Sequence, residues 1–423
     1  MEKQQAIDQI ISLVFRLSDE LEKIVGANPN DLWPLHPDRQ PTPQFLVARA
    51  FVDEIVEIVR SMNGQELSDD HILVKLLYNA AALRIQVKIP DAELEDLARG
   101  NATDLIDYRG SREVDVPLVS LEVGSESFTL GPVTLCSIGV ADKQTDWWKW
   151  GSSTLEDMAD NLLLSYAKTT VPGDSHKAIK NATALTNEAM LLLRAIGLPF
   201  TTEDRHQFGI LNEYPLWRNV PYRLGAPTET TRVDAQSRLI AATGPFRFPY
   251  DLRKDILSAT PPYRLHGFLT LVAQYGFSPQ EEFPARLVSG FRWLGEATKP
   301  DALAARFAKT AFALETLIGG EAKDDSLSTR GITATLAERA AFLVSTDYGA
   351  RLEVDKDIRR HYAKRSGIAH GRTSIVSPRD FEEFGLLVRE IGWSLLEKHA
   401  KFTTIDDLQA WVTEQRYSNA PSS

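Results

Sequence analysis

Near its C-terminal end the chain reads Tyr362-Ala-Lys-Arg365-Ser-Gly-Ile-Ala-His370-Gly371. Of the eight histidines, only His370 follows an arginine at a distance of five to seven residues. A guanidinium holds phosphate oxygens with a planar fork of donors. An imidazole exchanges protons near neutral pH. RNA brings its own nucleophile, the ribose 2′-hydroxyl. One Arg and one His therefore supply, in kind, what RNA cleavage without a metal needs: charge neutralisation at phosphorus and proton transfer at oxygen. A plainer alternative stands beside this one. Arg365 would form a salt bridge with Glu315, and His370 would cap a helix through a carbonyl.

Charge is unevenly spread. The net charge is −11, which speaks against a general nucleic-acid coat protein, since phosphate binding needs positive charge. Residues 301–423 hold 17 basic and 18 acidic residues, leaving 30 and 40 for residues 1–300. Within residues 351–379 there are eight basic residues against three acidic. The basic stretch thus surrounds Arg365 and His370. It also reads as a solvated helix face with pairs such as Asp355–Arg359.

Positioning these residues requires a helical frame, and the periodicity predicts one. Ile7, Ile10, Ile11, Val14, Leu17, Leu21 and Ile24 predict a helix over 4–25. It would pack within its own domain or against a partner. Five prolines at 29–43 make a loop, and helices follow near 44–62, 69–88 and 91–99. Val114, Val116 and Leu118 alternate as in a half-buried strand, and Glu126–Cys136 reads as two short strands around Gly131-Pro132. Trp147, Trp148 and Trp150 cluster as base-stacking rings or as packing. A helix over 177–196 precedes a Pro- and Thr-rich stretch to 235, a connector at 246–264 and a helix near 264–276. Beyond a linker at 277–284, helices are expected near 285–296, 300–318, 331–345, 351–369, 378–399 and 404–417. Ser377, Pro378 and Asp380 form a helix start, and Gly371 a helix stop. The fold class is therefore mainly α: a C-terminal helical bundle, preceded by a helical N-terminal region with a small β element. The expected domains are 1–105, 106–284 and 285–423.

On an unbroken helix Arg365 and His370 lie about 140° apart. Their convergence within one chain would need the helix to end or loosen between them, and Gly367 and Gly371 offer the place. His370 would then sit at a helix C-terminus, which favours positive charge and suits a general acid.

Tyr362, Arg365, Ser366, Ile368, His370 and Gly371 resemble the HEPN superfamily, in its Apea-like branch, whose pattern is Tyr-x-x-Arg-Ser-x-Ile/Val-x-His-Gly. Phe312-Ala-Leu-Glu315-Thr-Leu317-Ile318-Gly319 resembles a helix end of that branch. Thr335–Leu343 resembles the following helix, and Arg292-Trp293-Leu294 the helix that opens the domain. The likeness covers residues 285–423. HEPN ribonucleases often carry Asn, Asp or His after the Arg; Ser366 stands there in this chain, as is usual in the branch. The resemblance implies a bundle of four or five helices and a site built from two motifs facing each other across a dimer. His370 and Arg365 would be catalytic, with Ser366, Tyr362 and Glu315 supporting. It further implies a toxin-like or antiviral endoribonuclease leaving 2′,3′-cyclic phosphate ends, with residues 1–284 as sensor or regulator. The partners would be an RNA, tRNA among the classes, a second or further copy of the chain, and a phage-derived or antitoxin protein. A non-catalytic HEPN module that dimerises and binds RNA or protein is the alternative.

The single cysteine, Cys136, excludes an intrachain disulfide framework and a Cys-based zinc site. No cofactor or metal is expected. No apolar run approaches a membrane span, and the N-terminus reads as an amphipathic helix, not a secretory signal. A cytoplasmic protein is expected. No P-loop, Gly-x-Gly-x-x-Gly, His-Glu-x-x-His or Gly-x-Ser-x-Gly is present.

Overall fold

The computed structural model describes residues 2–24, 46–63, 67, 72, 89–107, 110–137, 165–200, 208–210, 223–225, 231–232, 250–299, 301–320, 331–371 and 376–418. The expected helix at 69–88, apart from helical Ile72, and the Trp147–Trp150 cluster lie outside them. The chain forms two compact units. The first comprises Met1–Val114, Thr170–Ala182 and Arg223–Thr231, and the second Asp115–Thr169, Thr183–Tyr222 and Arg232–Ser423.

The first unit is built on α1 (Lys3–Ile24), α2 (Leu46–Asn63) and α3 (Asp91–Ile106). The isoleucine and leucine stripe of α1 is buried as its spacing requires: Ile10, Val14, Leu17 and Leu21 are within 1% of full burial. α3 runs seven residues past its expected end at residue 99. The reason lies in its own stripe, because Leu94, Ala98, Ala102 and Leu105 stay buried through Gly100.

Strand residues occur in both units. β1 (Ser111–Val119) enters the second unit from Asp115, and β2 (Leu121–Glu122), β3 (Phe128–Leu130), β4 (Val133–Ser137) and β5 (Ser165–Pro172) follow. β3 and β4 pair antiparallel around Gly131-Pro132, with Phe128 opposite Leu135, and β4 pairs antiparallel with β5. One expectation needs correcting. From Val114 to Leu118 β1 is not half-buried, since Asp115, Val116, Pro117 and Leu118 are all buried; this part is covered on both faces, so alternation of residue type did not mark a wet side, while Ser111 and Glu113 stay exposed.

The helices that frame the motif are α4 (Ser175–Gly197), α5 (Pro262–Tyr275), α6 (Glu282–Thr298), α7 (Leu303–Ile318), α8 (Ile332–Val344), α9 (Tyr348–Ala369), α10 (Pro378–Lys398) and α11 (Ile405–Ser418). The fold is mainly α with a small antiparallel sheet and a helical C-terminal region. α6 begins three residues before its expected start at 285 and takes Pro284 into its first turn, where a missing N–H costs nothing. α10 starts as the sequence predicts, with the Ser377 and Asp380 side chains bonded reciprocally to each other's backbone N–H.

An aromatic core joins these helices. Phe268 on α5, Phe291 on α6 and Trp393 on α10 contact one another at centroid distances of 5.1, 4.8 and 6.0 Å. α6 and α7 approach closely at Gly290, where an added Cβ would collide with Leu317. That approach sets Trp293 of α6 beside Phe312 of α7, 5.3 Å between ring centres. Among the described residues no helix is long and apolar enough to cross a membrane.

Candidate active site

The end of α7 is held before any ligand arrives. Helix C-termini leave carbonyls without internal partners. Arg286 of α6 donates to the carbonyls of Thr316 and Gly319 at 3.0 and 2.8 Å. Arg339 of α8, only 2% exposed, donates to the Ile318 carbonyl at 2.7 Å and to Gln409 at 2.9 Å. Burial holds the Arg339 guanidinium down at about 10. Nothing in the sequence marks these two arginines as positioning residues. A basic side chain shows no periodic signal for capping a different helix.

Glu315 sits in this fixed turn and gathers the motif. Tyr362 donates its hydroxyl to Glu315 Oε1 at 2.9 Å. Arg365 Nη2 lies 3.0 Å from the same oxygen and 3.4 Å from Oε2. The guanidinium also stands over the rings of Tyr362 and Phe312, at 5.5 and 5.7 Å. Burial, and then the bond to Glu315, push the Tyr362 hydroxyl up to about 12. The plainer reading of Arg365 as an ion pair with Glu315 is thus what the structure shows. Arg365 spends only Nη2 on that pair; Nε and Nη1 have no hydrogen-bond partner among the described residues.

The local reason is helical spacing. Ile358, His361 and Tyr362 are the buried residues of α9, and Arg365 continues their i, i+3, i+4, i+7 stripe. His370 lies off it. The expected opening of the helix between Arg365 and His370 does not occur. α9 runs unbroken through Gly367 to Ala369, and His370 N–H bonds to the Ser366 carbonyl at 3.1 Å. A single glycine weakens a helix by only about 1 kcal/mol, too little to break a hydrogen-bonded ladder. The helix stops one residue later, at Gly371 with φ 65°, where only glycine is at ease. Arg365 and His370 therefore remain about 140° apart around the axis. The His370 ring is exposed and bonds to no described residue, so it does not cap the helix through a carbonyl. Ser366 is half-buried, and its side chain makes no hydrogen bond with a described residue.

The basic stretch is not an open field of charge. Arg359 pairs with Asp355 at 2.7 Å, Arg360 with Asp357 and Glu383 at 3.0 Å, Lys364 with Asp380 at 2.6 Å and Arg379 with Glu383 at 2.7 Å. Burial pushes the Asp380 carboxyl up, but Lys364 and Ser377 outweigh it and hold it well below the ordinary carboxylate range. Asp355 and Asp357 lie on α9 itself, but Glu315 comes from α7 and Asp380 and Glu383 from α10, and these three are outside the stretch that linear counting covered. Arg372 lies outside the described residues.

Comparison with protein-family models, with curated proteins and with solved structures finds no match to this chain. Its site is therefore read from its own geometry.

Beside Glu315 a shallow pocket of about 390 Å³ opens, lined by Trp293, Phe312, Glu315 and Thr316. Trp293 and Phe312 are both legible in the sequence, but their meeting depends on the close packing of α6 on α7. Among the described residues no group of three or more His, Cys, Asp or Glu is placed to hold a metal ion.

Proposed function

We propose that this chain is a metal-independent endoribonuclease whose active site is completed by two copies of α9. The observation that carries the reading is Arg365: it is held by Glu315 over the Tyr362 ring, yet among the described residues Nε and Nη1 have no partner, and five residues on stands an exposed His370 that bonds to no described residue. An Arg held in this way can take phosphate oxygens without a large loss of side-chain freedom.

The chemistry is a transesterification. One His370 takes the proton of the 2′-hydroxyl as the 2′-oxygen bonds to phosphorus. The bond from phosphorus to the 5′-oxygen breaks, and a second His370 gives that oxygen a proton. Arg365 neutralises the charge building on the non-bridging oxygens. The products are a 2′,3′-cyclic phosphate and a 5′-hydroxyl. Because Arg365 and His370 diverge on one helix, the second copy supplies what a single chain does not bring together. The HEPN-like residues add the toxin-like or antiviral role in the cytoplasm, with residues 1–284 as sensor and a phage-derived or antitoxin protein as regulator.

A second reading, a non-catalytic module that dimerises and binds RNA or protein, draws on the pairing of Arg365 with Glu315 and of its basic neighbours with acids. Purified protein and end-labelled RNA in EDTA separate the two. Wild type should turn over many RNAs, leaving cyclic phosphate ends. His370→Ala should abolish cleavage and keep binding largely intact; Arg365→Ala should weaken both, and Arg365→Lys should not rescue them. Excess His370→Ala mixed with wild type should poison activity through mixed dimers. Binding without turnover supports the second reading, and simple dilution of activity on mixing refutes the two-copy site.

A further inference from the structure

Phe312 is 37% exposed, and it forms with Trp293 an open corner, the ring planes inclined at 63°. A flat ring laid in that corner meets the face of one aromatic and the edge of the other, both favourable arrangements. Its volume of about 390 Å³ falls within the range of small-molecule sites. One wall is Glu315, the same carboxylate that holds Arg365. A group on Arg365 and a ring in the corner would therefore share Glu315 as a neighbour. Glu315 Oε1 receives the Tyr362 hydroxyl and Arg365 Nη2, while Oε2 receives only the longer Arg365 contact at 3.4 Å. A carboxylate accepts at about four lone-pair positions, so Glu315, which lines the pocket, keeps accepting capacity beyond its contacts with described residues.

We infer that the Trp293–Phe312 corner is a base-stacking subsite that takes one unpaired base of the RNA, and that Glu315 favours a base with an exocyclic amino group. This rests on the endoribonuclease reading and names its substrate: single-stranded RNA with adenine, cytosine or guanine in the pocket. Adenine, cytosine and guanine each offer an N–H₂ donor, where uracil has only carbonyl oxygens and one ring N–H. Stacking supplies the affinity and the carboxylate the preference. The guanidinium of Arg365, paired with Glu315, offsets the repulsion between that carboxylate and the RNA phosphates.

The test is binding, read by fluorescence anisotropy on short 2′-O-methylated oligonucleotides, which lack the nucleophile and cannot be cleaved. Strands of A, C, G or U and an abasic strand serve as probes. Replacing a stacking aromatic by alanine weakens binding by about fivefold to a hundredfold per base. Phe312→Ala should therefore weaken the base-bearing strands by about tenfold and leave the abasic strand unchanged. Phe312→Leu, which fills the same space without a π face, should behave like Phe312→Ala. Glu315→Gln should erase the disadvantage of the U strand. The inference is overturned if Phe312→Leu binds as wild type does, or if Phe312→Ala weakens the abasic strand as much as the others. It is equally overturned if wild type shows no dependence on bases at all, the result expected of a corner that receives a partner protein's side chain. Base-dependent binding by a protein that never cleaves RNA would support this pocket while refuting the endoribonuclease, and cleavage without base dependence would do the reverse.

Discussion

His361 offers a measurable consequence of the bundle's packing. It is 1% exposed and stacks on Phe384, with 4.9 Å between ring centres and 19° between planes. Its Nε2 lies 3.1 Å from Arg360 Nη2, and its Nδ1 is buried without a hydrogen-bond partner among the described residues. Burial, and then the adjacent Arg360, hold the imidazole down at about 4, against the weaker opposing pull of Asp357, Asp380 and Glu383. In the unfolded chain the ring titrates near its ordinary value of about 6.5. Between those two values the unfolded state binds a proton that the folded state refuses. Stability therefore falls as pH drops from 6.5 towards 4, and the loss is complete below that. At about 1.36 kcal/mol per unit the whole interval is worth about 3 kcal/mol, of which about 2 kcal/mol is gone by about pH 4.5. His361→Phe keeps the stack on Phe384 and removes both the orphaned nitrogen and the titration. Arg360 retains Asp357 and Glu383. Urea midpoints at constant slope, taken near pH 7 and pH 4.5, should show the variant losing about 2 kcal/mol less than wild type across the interval. Titration of the ring proton by NMR, assigned by its absence in the variant, should give a value near 4. Equal losses in the two proteins, or a ring titrating near 6.5, would show that burial does not hold His361 neutral.

Glu315→Gln should lower the Tyr362 hydroxyl from about 12 but not to its ordinary value, because burial is the larger cause; ultraviolet titration against a Tyr362→Phe control reads it. In wild type the same raised value means that stability is lost as pH climbs from about 10 towards 12, where the unfolded tyrosine ionises first. Gly371→Ala meets open space but keeps φ at 65°, so thermal unfolding should show a backbone cost of about 1 kcal/mol. Gly371→Asn, which tolerates that conformation better, should cost less.

Much of the frame was legible along the chain. The apolar stripe of α1, the Ser377-Pro378-Asp380 start of α10, the Gly371 stop and the Gly131-Pro132 turn are local: each depends on side-chain period, a single backbone angle or a hydrogen bond within three residues. Helix limits in the C-terminal region agree with expectation to within three residues for the same reason. The motif residues Tyr362, Arg365, Ser366 and His370, and the choice of Glu315 as a partner for Arg365, were also readable as types of chemistry. Tertiary structure decided how they are used. Whether α9 opened at Gly367 was a contest between one glycine's weak preference and a continuous hydrogen-bonded ladder, and the ladder prevailed. Whether the basic stretch remained free depended on Glu315, Asp380 and Glu383, which approach from other helices and are remote or differently phased in sequence. The Trp293–Phe312 corner exists because Gly290 lets two helices come together, and the α7 terminus is rigid because Arg286 and Arg339 reach it from α6 and α8. Sequence carries the local terms, which act over a few residues. Charge pairing, burial and the meeting of aromatic faces are sums over neighbours that only folding brings into contact.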